Sequence, residues 1–311
     1  MKGYVTTCDG EEYELPVLLR WELCYTGSVP CDSFALRCPY EADMAETLRT
    51  AVRFTAREDG EVQFAGVIDE CGASCGEDGV LLTLSGRGMA ALLLDNEAEA
   101  ASYQWATTAE ILRNHAESCG IVCTAWDAAG APRYRVANGS SQWKAVNDFA
   151  VLYGGLTPYF HKNGTMELTR KRRSGSVTID STTPVTALRY CDRRYGVIAE
   201  ALVVDRRTGA KQSVRNEEFL ARGGEGRRVF YVPARSGERR MRYTGEYQIK
   251  KSKEGAETLS VTVAGRFDAA PGDTARVTGT KLGVTGEFRV IEVKRRLGET
   301  GEASEVTMQR E

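Results

Sequence analysis

The feature that most constrains the fold is the alternation of apolar and polar residues along the first third of the chain. In residues 13–27, apolar side chains take every second position from Leu15 to Leu23. Such alternation is typical of a strand with one buried face, because successive side chains of a strand point to opposite faces of the sheet. Shorter strand-like runs separated by turns follow at 32–40, 50–57, 61–71 and 80–85. The pattern predicts five strands in a small barrel or sandwich, with a loop at Gly72–Gly79.

A helical pattern begins after residue 93. Thr107 and Glu110 fit a capping box, in which each side chain satisfies the other residue's free backbone amide. Apolar residues then recur at helical spacing up to Gly120, a residue type favoured at helix C-termini. A second helix is predicted from Ser140 or Ser141 to Gly154-Gly155, and Asn163-Gly164 predicts a hairpin turn. Residues 93–183 are therefore predicted to form a mixed α/β insert.

The chain returns to strand-like sequence from about Thr186. The predicted strands include RVFYVPA (228–234) and MRYTGEYQI (241–249), and the basic segment Arg222–Arg242 is predicted to lie partly in a mobile loop. An internal similarity links Thr50–Glu70 with Asp273–Lys294. In both, a strand-like run leads to a Gly-Glu pair, an alternating run and Val-Ile-Asp or Val-Ile-Glu. This similarity favours two related β-domains on either side of the insert.

The cysteine count and the distribution of charge indicate where the protein is made and what kind of neighbours it has. The nine cysteines are odd in number and the N-terminus has charges where a leader would be apolar, so we expect reduced thiols, cytoplasmic synthesis and no membrane insertion. Residues 1–160 hold 11 Lys and Arg against 23 Asp and Glu, a net −12, whereas the remainder holds 30 against 20, a net +10. The two halves either face different neighbours in an assembly or meet as opposite faces of one molecule.

The turn Ser85-Gly86-Arg87-Gly88 resembles a phosphate-binding loop only in outline. It lacks the P-loop lysine, and the alternating strands before it are typical of antiparallel sheets rather than of a βαβ unit. We interpret the two glycines as a sharp turn from a strand into a short helix that leaves the first β-domain. Arg87 is then a candidate for a structural or inter-subunit hydrogen bond.

Other chemistry is weakly supported. The pairs Cys71/Cys75 and Cys119/Cys123 have only a loose zinc spacing, and Cys119 falls on an apolar helix face. His115 lies on the same face, which favours a buried structural role, and His161 beside the hairpin turn is expected to be solvated. No catalytic motif is present. The sequence predicts no catalytic, cofactor-binding or metal site.

Two basic segments leave an alternative open. Arg170-Lys171-Arg172-Arg173 and the arginines of region 211–245, with Tyr231 and Tyr243 among them, would suit a β-barrel that binds nucleic acid. The same charges would suit contact with an acidic protein neighbour, which we favour because such contacts depend on charge complementarity.

Several motifs follow one another along nearly the whole chain: LSGRG with Leu92-Leu93-Leu94-Asp95, then ATTAEIL to Cys119-Gly120-Ile121, SQWKAV with LYGG, YFHKNG, and APGDTARV with GEFRV. In this order they resemble the baseplate hub proteins of contractile phage tails. These are the late control gene D type, related to the hubs of phage Mu and phage T4, of defective prophages and of tail-like bacteriocins. The position after Gly86-Arg87 is often Asp or Ser in that family but is Gly88 here.

The resemblance implies a fold and a task. The fold would be mainly β, with two tube-like β-barrel domains at 1–92 and 184–311 flanking the α/β domain 93–183. Three chains would form a homotrimeric ring that adapts a sixfold tail tube to a threefold spike, a structural and non-enzymatic role without cofactors. Its partners would be the tail tube protein, the central spike protein and possible tape measure and baseplate proteins, in the virion or tail-like particle, with DNA only as transiting cargo.

Overall fold

The computed structural model describes residues 1–27, 32–170, 175–233 and 237–310. Cys31 and the basic residues 171–173 lie outside the described residues. The chain is mostly β and contains a large antiparallel sheet, which confirms the predicted fold class at that level. It divides into two units, and the predicted boundaries at 92 and 183 stay predictions.

The first unit comprises Met1–Ser176, Val263–Asp273 and Ile291–Glu305. Its first seven strands are β1 Lys2–Thr7, β2 Glu12–Glu14, β3 Arg20–Thr26, β4 Ser33–Pro39, β5 Ala51–Glu58, β6 Glu61–Gly76 and β7 Gly79–Gly88. They pair antiparallel in the order β3-β4-β7-β6-β5-β1-β2. Helix α1, Met44–Thr50, precedes β5.

Alternation produces the buried face of this sheet. In β4, Phe34 and Leu36 are buried and Ala35 is exposed, as a half-buried strand requires. The ring of Phe34 stacks on that of Phe54 with centroids 4.3 Å apart and lies 5.5 Å from that of Phe64. These three aromatic residues form the centre of the core, where apolar area removed from water is the main favourable term.

Two predictions for this region are wrong. The alternating run 13–27 is not one strand, because Pro16 lacks the amide that a central strand must donate, and Val17 and Leu19 are 80% and 51% exposed. Gly72–Gly79 is not a loop. Strand β6 continues to Gly76 and β7 starts at Gly79, so only two residues form the turn.

The middle of the first unit holds helices and short strands. The strands are β8 Ala101–Ser102, β9 Trp105–Thr107, β10 Cys123–Trp126, β11 Gly130–Pro132, β12 Arg135–Val136, β13 Thr157–Phe160 and β14 Met166–Thr169. The helices are α2 Ala91–Asp95, α3 Thr108–Ile111, which continues as a π-turn to Ala116 and a 3₁₀ turn to Cys119, and α4 Gln142–Phe149, which continues as a π-turn to Gly154. One cluster that includes Ile111, Val146 and Phe149 forms its core.

The local signals in this middle segment are confirmed, except that only one of the two capping-box hydrogen bonds is seen among the described residues. The hydroxyl oxygen of Thr107 accepts a hydrogen bond from the amide of Glu110, and that of Ser141 accepts one from the amide of Lys144. The first helical segment ends at Gly120, whose φ of 77° lies in the left-handed region that glycine adopts without strain. The hairpin β13–β14 closes at Asn163-Gly164.

The second unit comprises Val177–Thr262, Thr274–Val290 and Val306–Glu311. The remaining strands are β15 Ser176–Ile179, β16 Val185–Asp192, β17 Glu200–Asp205, β18 Lys211–Arg215, β19 Arg227–Val232, β20 Glu257–Ala264, β21 Thr274–Val277, β22 Gly286–Gly298 and β23 Gly301–Arg310. The ends of β15, β20, β22 and β23 belong to the first unit, where Glu292–Leu297 of β22 pairs with β3. The helices are α5 Glu217–Ala221 and α6 Glu238–Lys253.

Within the basic segment Arg222–Arg242, residues 222–226 lie outside helices and strands, whereas most of the other described residues lie in β19 and α6. The predicted mobile loop stays a prediction. Strand β17 pairs with β18 antiparallel and with β19 parallel, and α6 packs on this three-stranded sheet. The predicted strand 241–249 is part of α6, because its buried residues are Met241, Gly245 and Ile249, at intervals of four. Gly245 permits the packing, since a Cβ there would lie 2.6 Å from Cγ2 of Val214.

Candidate interaction surfaces

The glycines of the LSGRG segment allow close approach of neighbouring backbone rather than making a turn. Gly86 and Gly88 both lie within β7, and neither has a positive φ. A Cβ on Gly86 would overlap the backbone oxygen of Val67 and lie 2.7 Å from the ring of Phe34. The interpretation of these glycines as a strand-to-helix turn is therefore wrong. They allow close approach next to the irregular pairing between Ile68 and Glu70.

Arg87 forms the structural hydrogen bonds that the sequence suggested. Its Nε and Nη2 donate to the two carboxylate oxygens of Asp69 at 2.7 and 2.9 Å. Its Nη1 and Nη2 donate to Asp95 at 3.0 and 2.6 Å. The hydrogen bonds to Asp69, and then those to Asp95, raise the pKa of Arg87. The side chain thus joins strand β6 to the end of α2 by two bidentate pairs.

A second arginine lies in the core of the first unit. Arg295 is 2% exposed, and its Nη2 donates to Glu302 at 2.6 Å and to Glu58 at 3.0 Å. Burial lowers the pKa of Arg295, but the hydrogen bonds to Glu302 and Glu58 outweigh burial and the net pKa is raised. Arg266 donates to the same Glu58 carboxylate at 3.1 Å. The two arginines match the two carboxylates in charge, and the Arg295 guanidinium lies 5.7 Å from the centre of the Trp21 ring. The arrangement is structural.

The three-stranded sheet of the second unit has one face covered and one open. Helix α6 covers the face that carries Ala201, Val203 and Val232. The opposite face, here called the open face, has three rows across the strands: Arg215-Glu200-Arg227, Ser213-Leu202-Val229 and Lys211-Val204-Tyr231. Val229 is 47% exposed and Tyr231 is 61% exposed. The open face therefore presents an apolar centre to solvent.

The rim of the open face is positive. Glu200 is the one carboxylate in the three rows, and it already pairs with Arg227 at 3.6 Å and accepts from Ser213 at 2.8 Å. Lys211 has no ion pair within the described parts of the chain, and Arg215 meets only the exposed Glu217 at 3.6 Å. The guanidinium of Arg206 lies 5.9 Å from the centre of the Tyr231 ring. An apolar centre with a charged rim is the usual anatomy of a protein interface.

The turn between β6 and β7 is an exposed acidic feature of the first unit. We call Cys75–Val80 the hairpin end. All residues from Asp69 to Val80 are exposed, and the turn consists of Glu77 and Asp78. Neither carboxylate forms an ion pair with any described residue. Val80 lies opposite Cys75 in the pairing and is 44% exposed.

The predicted histidine roles fit the geometry. His115 is 4% exposed, with its Nδ1 2.7 Å from Oε1 of Gln142 and its Nε2 3.0 Å from the hydroxyl of Tyr103. It fills a polar position in the insert core. The His161 side chain is 41% exposed, and its Nε2 lies 3.2 Å from the Glu167 carboxylate. The structure thus does not bring the two histidines into one site.

The cysteine pairs do not form a zinc site. Cys71 and Cys75 are exposed on β6, whereas Cys119 and Cys123 lie against the insert core. Over the described ranges, no three His, Cys, Asp or Glu side chains are grouped to hold a metal ion. Among the same residues, no helix has the length and apolar character that a membrane crossing requires.

The comparisons place this architecture among known folds. No protein-family model and no curated protein matches the sequence. The structure is similar to the prophage MuSo2 43 kDa tail protein from Shewanella oneidensis, with a TM-score of 0.78 and 16% identity over 100% of this chain and 98% of that one. It is also similar to the tail protein from Neisseria meningitidis MC58, with a TM-score of 0.75 and 17% identity over 100% and 96% of the two chains.

The chain has the fold of phage tail proteins. This tail-protein fold extends to the E. coli c3393 protein, a component of the type VI secretion system described as similar to the phage T4 tail proteins gp27 and gp5. That match has a TM-score of 0.56 and 12% identity over 94% of this chain and 73% of that one. The resemblance inferred from the order of motifs is thereby confirmed at the level of the fold.

The internal similarity has a structural counterpart within this tail-protein fold. Residues of β5 pair antiparallel with β6, from Arg53 opposite Val67 to Glu58 opposite Glu61. Residues of β21 pair antiparallel with β22, from Thr274 opposite Arg289 to Val277 opposite Gly286. Each repeat of the sequence pattern therefore forms an antiparallel pair of strands.

Proposed function

We propose that the protein is a structural baseplate hub of a contractile tail or tail-like particle, without enzymatic activity. The observation that carries the proposal is the match of the whole chain to two phage tail proteins at TM-scores of 0.78 and 0.75. A tail part acts through surfaces that fit its neighbours, and the exposed features of this chain are of that kind.

In this proposal three chains form a ring that adapts a sixfold tail tube to a threefold spike. Two tube-like β-barrel domains, at 1–92 and 184–311, flank the α/β domain 93–183, so three chains supply six similar barrel edges. The paired strands of the two sequence repeats support this arrangement, because a sixfold partner requires six equivalent contacts. The tail tube protein and the central spike protein are the direct partners, and the assembled particle is the location.

The oligomeric mass and partner binding test the proposal. Light scattering after size-exclusion chromatography should give a mass of about three times the chain mass of 34.1 kDa for the protein alone, or three copies of the chain in a complex with candidate tube and spike proteins. Electron microscopy of the complex should show a threefold ring between tube and spike. A chain that stays monomeric and binds neither protein at any concentration would contradict the proposal.

A further inference from the structure

The two halves of the chain carry opposite charge, and each has an exposed feature that nothing in the described chain covers. The open face belongs to a segment, 198–254, with 14 Lys and Arg against eight Asp and Glu. The hairpin end belongs to the half with a net charge of −12. Both features combine an exposed apolar side chain with charges that lack strong partners.

We infer that the hairpin end of one copy docks on the open face of a second copy of this chain. Glu77 and Asp78 would lie against the basic rim at Lys211 and Arg215. Val80 would lie against the apolar centre made by Leu202 and Val229. This inference rests on the proposed trimeric hub. In that trimer, the hairpin end and the open face would be the surfaces that join neighbouring subunits.

Ring symmetry supports two different surfaces rather than one. A ring of three identical chains closes by heterologous contacts, in which one surface of each chain meets another surface of the next. Such a contact needs a complementary pair on every chain. The acidic hairpin end and the basic open face form such a pair, and opposite potentials both speed association and fix which surfaces meet.

The composition of the open face favours a protein occupant over nucleic acid. Single-stranded nucleic acid is bound by aromatic platforms on which successive bases stack. The open face has one aromatic residue, Tyr231, and its centre is otherwise aliphatic, with Leu202, Val204 and Val229. An aliphatic centre inside a charged rim suits an apolar side chain flanked by carboxylates.

Charge reversal on each side provides the test. The variant Glu77→Lys with Asp78→Lys changes only the exposed turn, and Lys211→Glu with Arg215→Glu changes only the exposed edge strand β18. Each pair should weaken self-association on the order of tenfold or more, because like charges then face each other. Combining all four substitutions in one chain should restore association toward that of the wild type. Sedimentation equilibrium measures the association constants.

Matched controls separate this contact from general charge effects. Lys250→Glu with Lys251→Glu makes the same charge change on the outer side of α6, and Glu41→Lys with Asp43→Lys makes it on another acidic surface of the first unit. Both should associate as the wild type does. Circular dichroism of every variant verifies the fold. Without any substitution, raising salt to 1 M should weaken wild-type association, since the screening length then falls to roughly 3 Å.

The outcomes distinguish the contact from the proposed function. A wild type that forms trimers unaffected by either reversal would overturn the docking contact and leave the hub proposal standing. A wild type that never self-associates would overturn the contact, while binding to the tube and spike proteins would still decide the hub proposal. If Lys211→Glu with Arg215→Glu abolishes a DNA mobility shift without changing self-association, the open face is a nucleic-acid surface and the inference is wrong.

Discussion

Nη2 of Arg295 donates a hydrogen bond to the carboxylate of Glu58 at 3.0 Å, although the two residues are 237 positions apart in the sequence. Arg295 is almost fully buried, so Glu58 and Glu302 share a cation that water cannot replace. Removing one partner of a buried pair leaves the other charges uncompensated, which costs more than the pair itself contributes.

We expect Arg295→Ala to lower the free energy of unfolding of the first unit by about 3 kcal/mol, the range for a broken buried pair. Arg49→Ala removes an arginine whose side chain is 75% exposed and which, among the described residues, pairs with Glu46 alone, and it should change stability by less than about 0.5 kcal/mol. Urea denaturation of both variants measures the difference. Equal stabilities would show that the buried cluster contributes nothing specific.

Gly86→Ala tests the role of the LSGRG glycines. The added Cβ would overlap the Val67 backbone oxygen, so we expect a loss of about 1–3 kcal/mol or failure to fold. Gly72→Ala is the matched control, because it lies on the adjacent strand β6 and its Cβ would meet nothing within 4 Å. Thermal unfolding of the two variants gives the comparison. If Gly86→Ala is tolerated as well as Gly72→Ala, close approach is not what requires the glycine.

The packing of α6 on its sheet gives a third prediction. Gly245→Ala would bring a Cβ to 2.6 Å from Val214, so the second unit should lose about 1–3 kcal/mol even though alanine favours helices. Gly237→Ala, at the N-cap of the same helix, has open space around its Cβ and should cost only the preference for glycine over alanine at an N-cap, about 0.5 kcal/mol. Hydrogen exchange of the amides in α6 and β18 reports the effect locally. Stabilisation by Gly245→Ala would mean that the helix does not approach the sheet this closely.

Asp32 should make stability depend on pH. Burial raises the pKa of its carboxyl from the ordinary 3.8 to about 6, against the hydrogen bonds from the amide and hydroxyl of Thr26. The folded chain then holds a proton between pH 4 and 6 that the unfolded chain releases, so this group's contribution to stability falls as pH rises through that window and stays low above pH 6.

Asp32→Asn removes this ionisation while its amide oxygen still accepts from Thr26. The variant should be more stable than the wild type above pH 6, by up to about 3 kcal/mol for a shift of about two pKa units, and equal to it below pH 4. Unfolding midpoints measured from pH 4 to pH 8 check the sign. A constant difference across that range would contradict the raised pKa.

Local signals were sufficient where a residue acts on its near neighbours. The caps at Thr107 and Ser141, the left-handed Gly120 and the turn at Asn163-Gly164 each depend on backbone groups two to four positions away. The mainly β character also followed from sequence, because the period of alternation is a property of the strand itself. The order of motifs along the chain was sufficient to indicate the tail-protein fold.

Tertiary structure decided the features that depend on distant partners. The apolar residues of 241–249 fit either a strand or a helix. Packing of α6 against its sheet decides that Met241, Gly245 and Ile249 are the buried residues. Gly86 is required because Val67 and Phe34 lie too close to leave room for a Cβ. The residues around LSGRG in the sequence do not indicate these neighbours. The open face forms because β17, β18 and β19 pair in register, which brings together side chains from residues 200 to 232. The sequence by itself determined the caps, the turn and the mainly β character, whereas long-range packing decided which surfaces are buried and which are exposed to a partner.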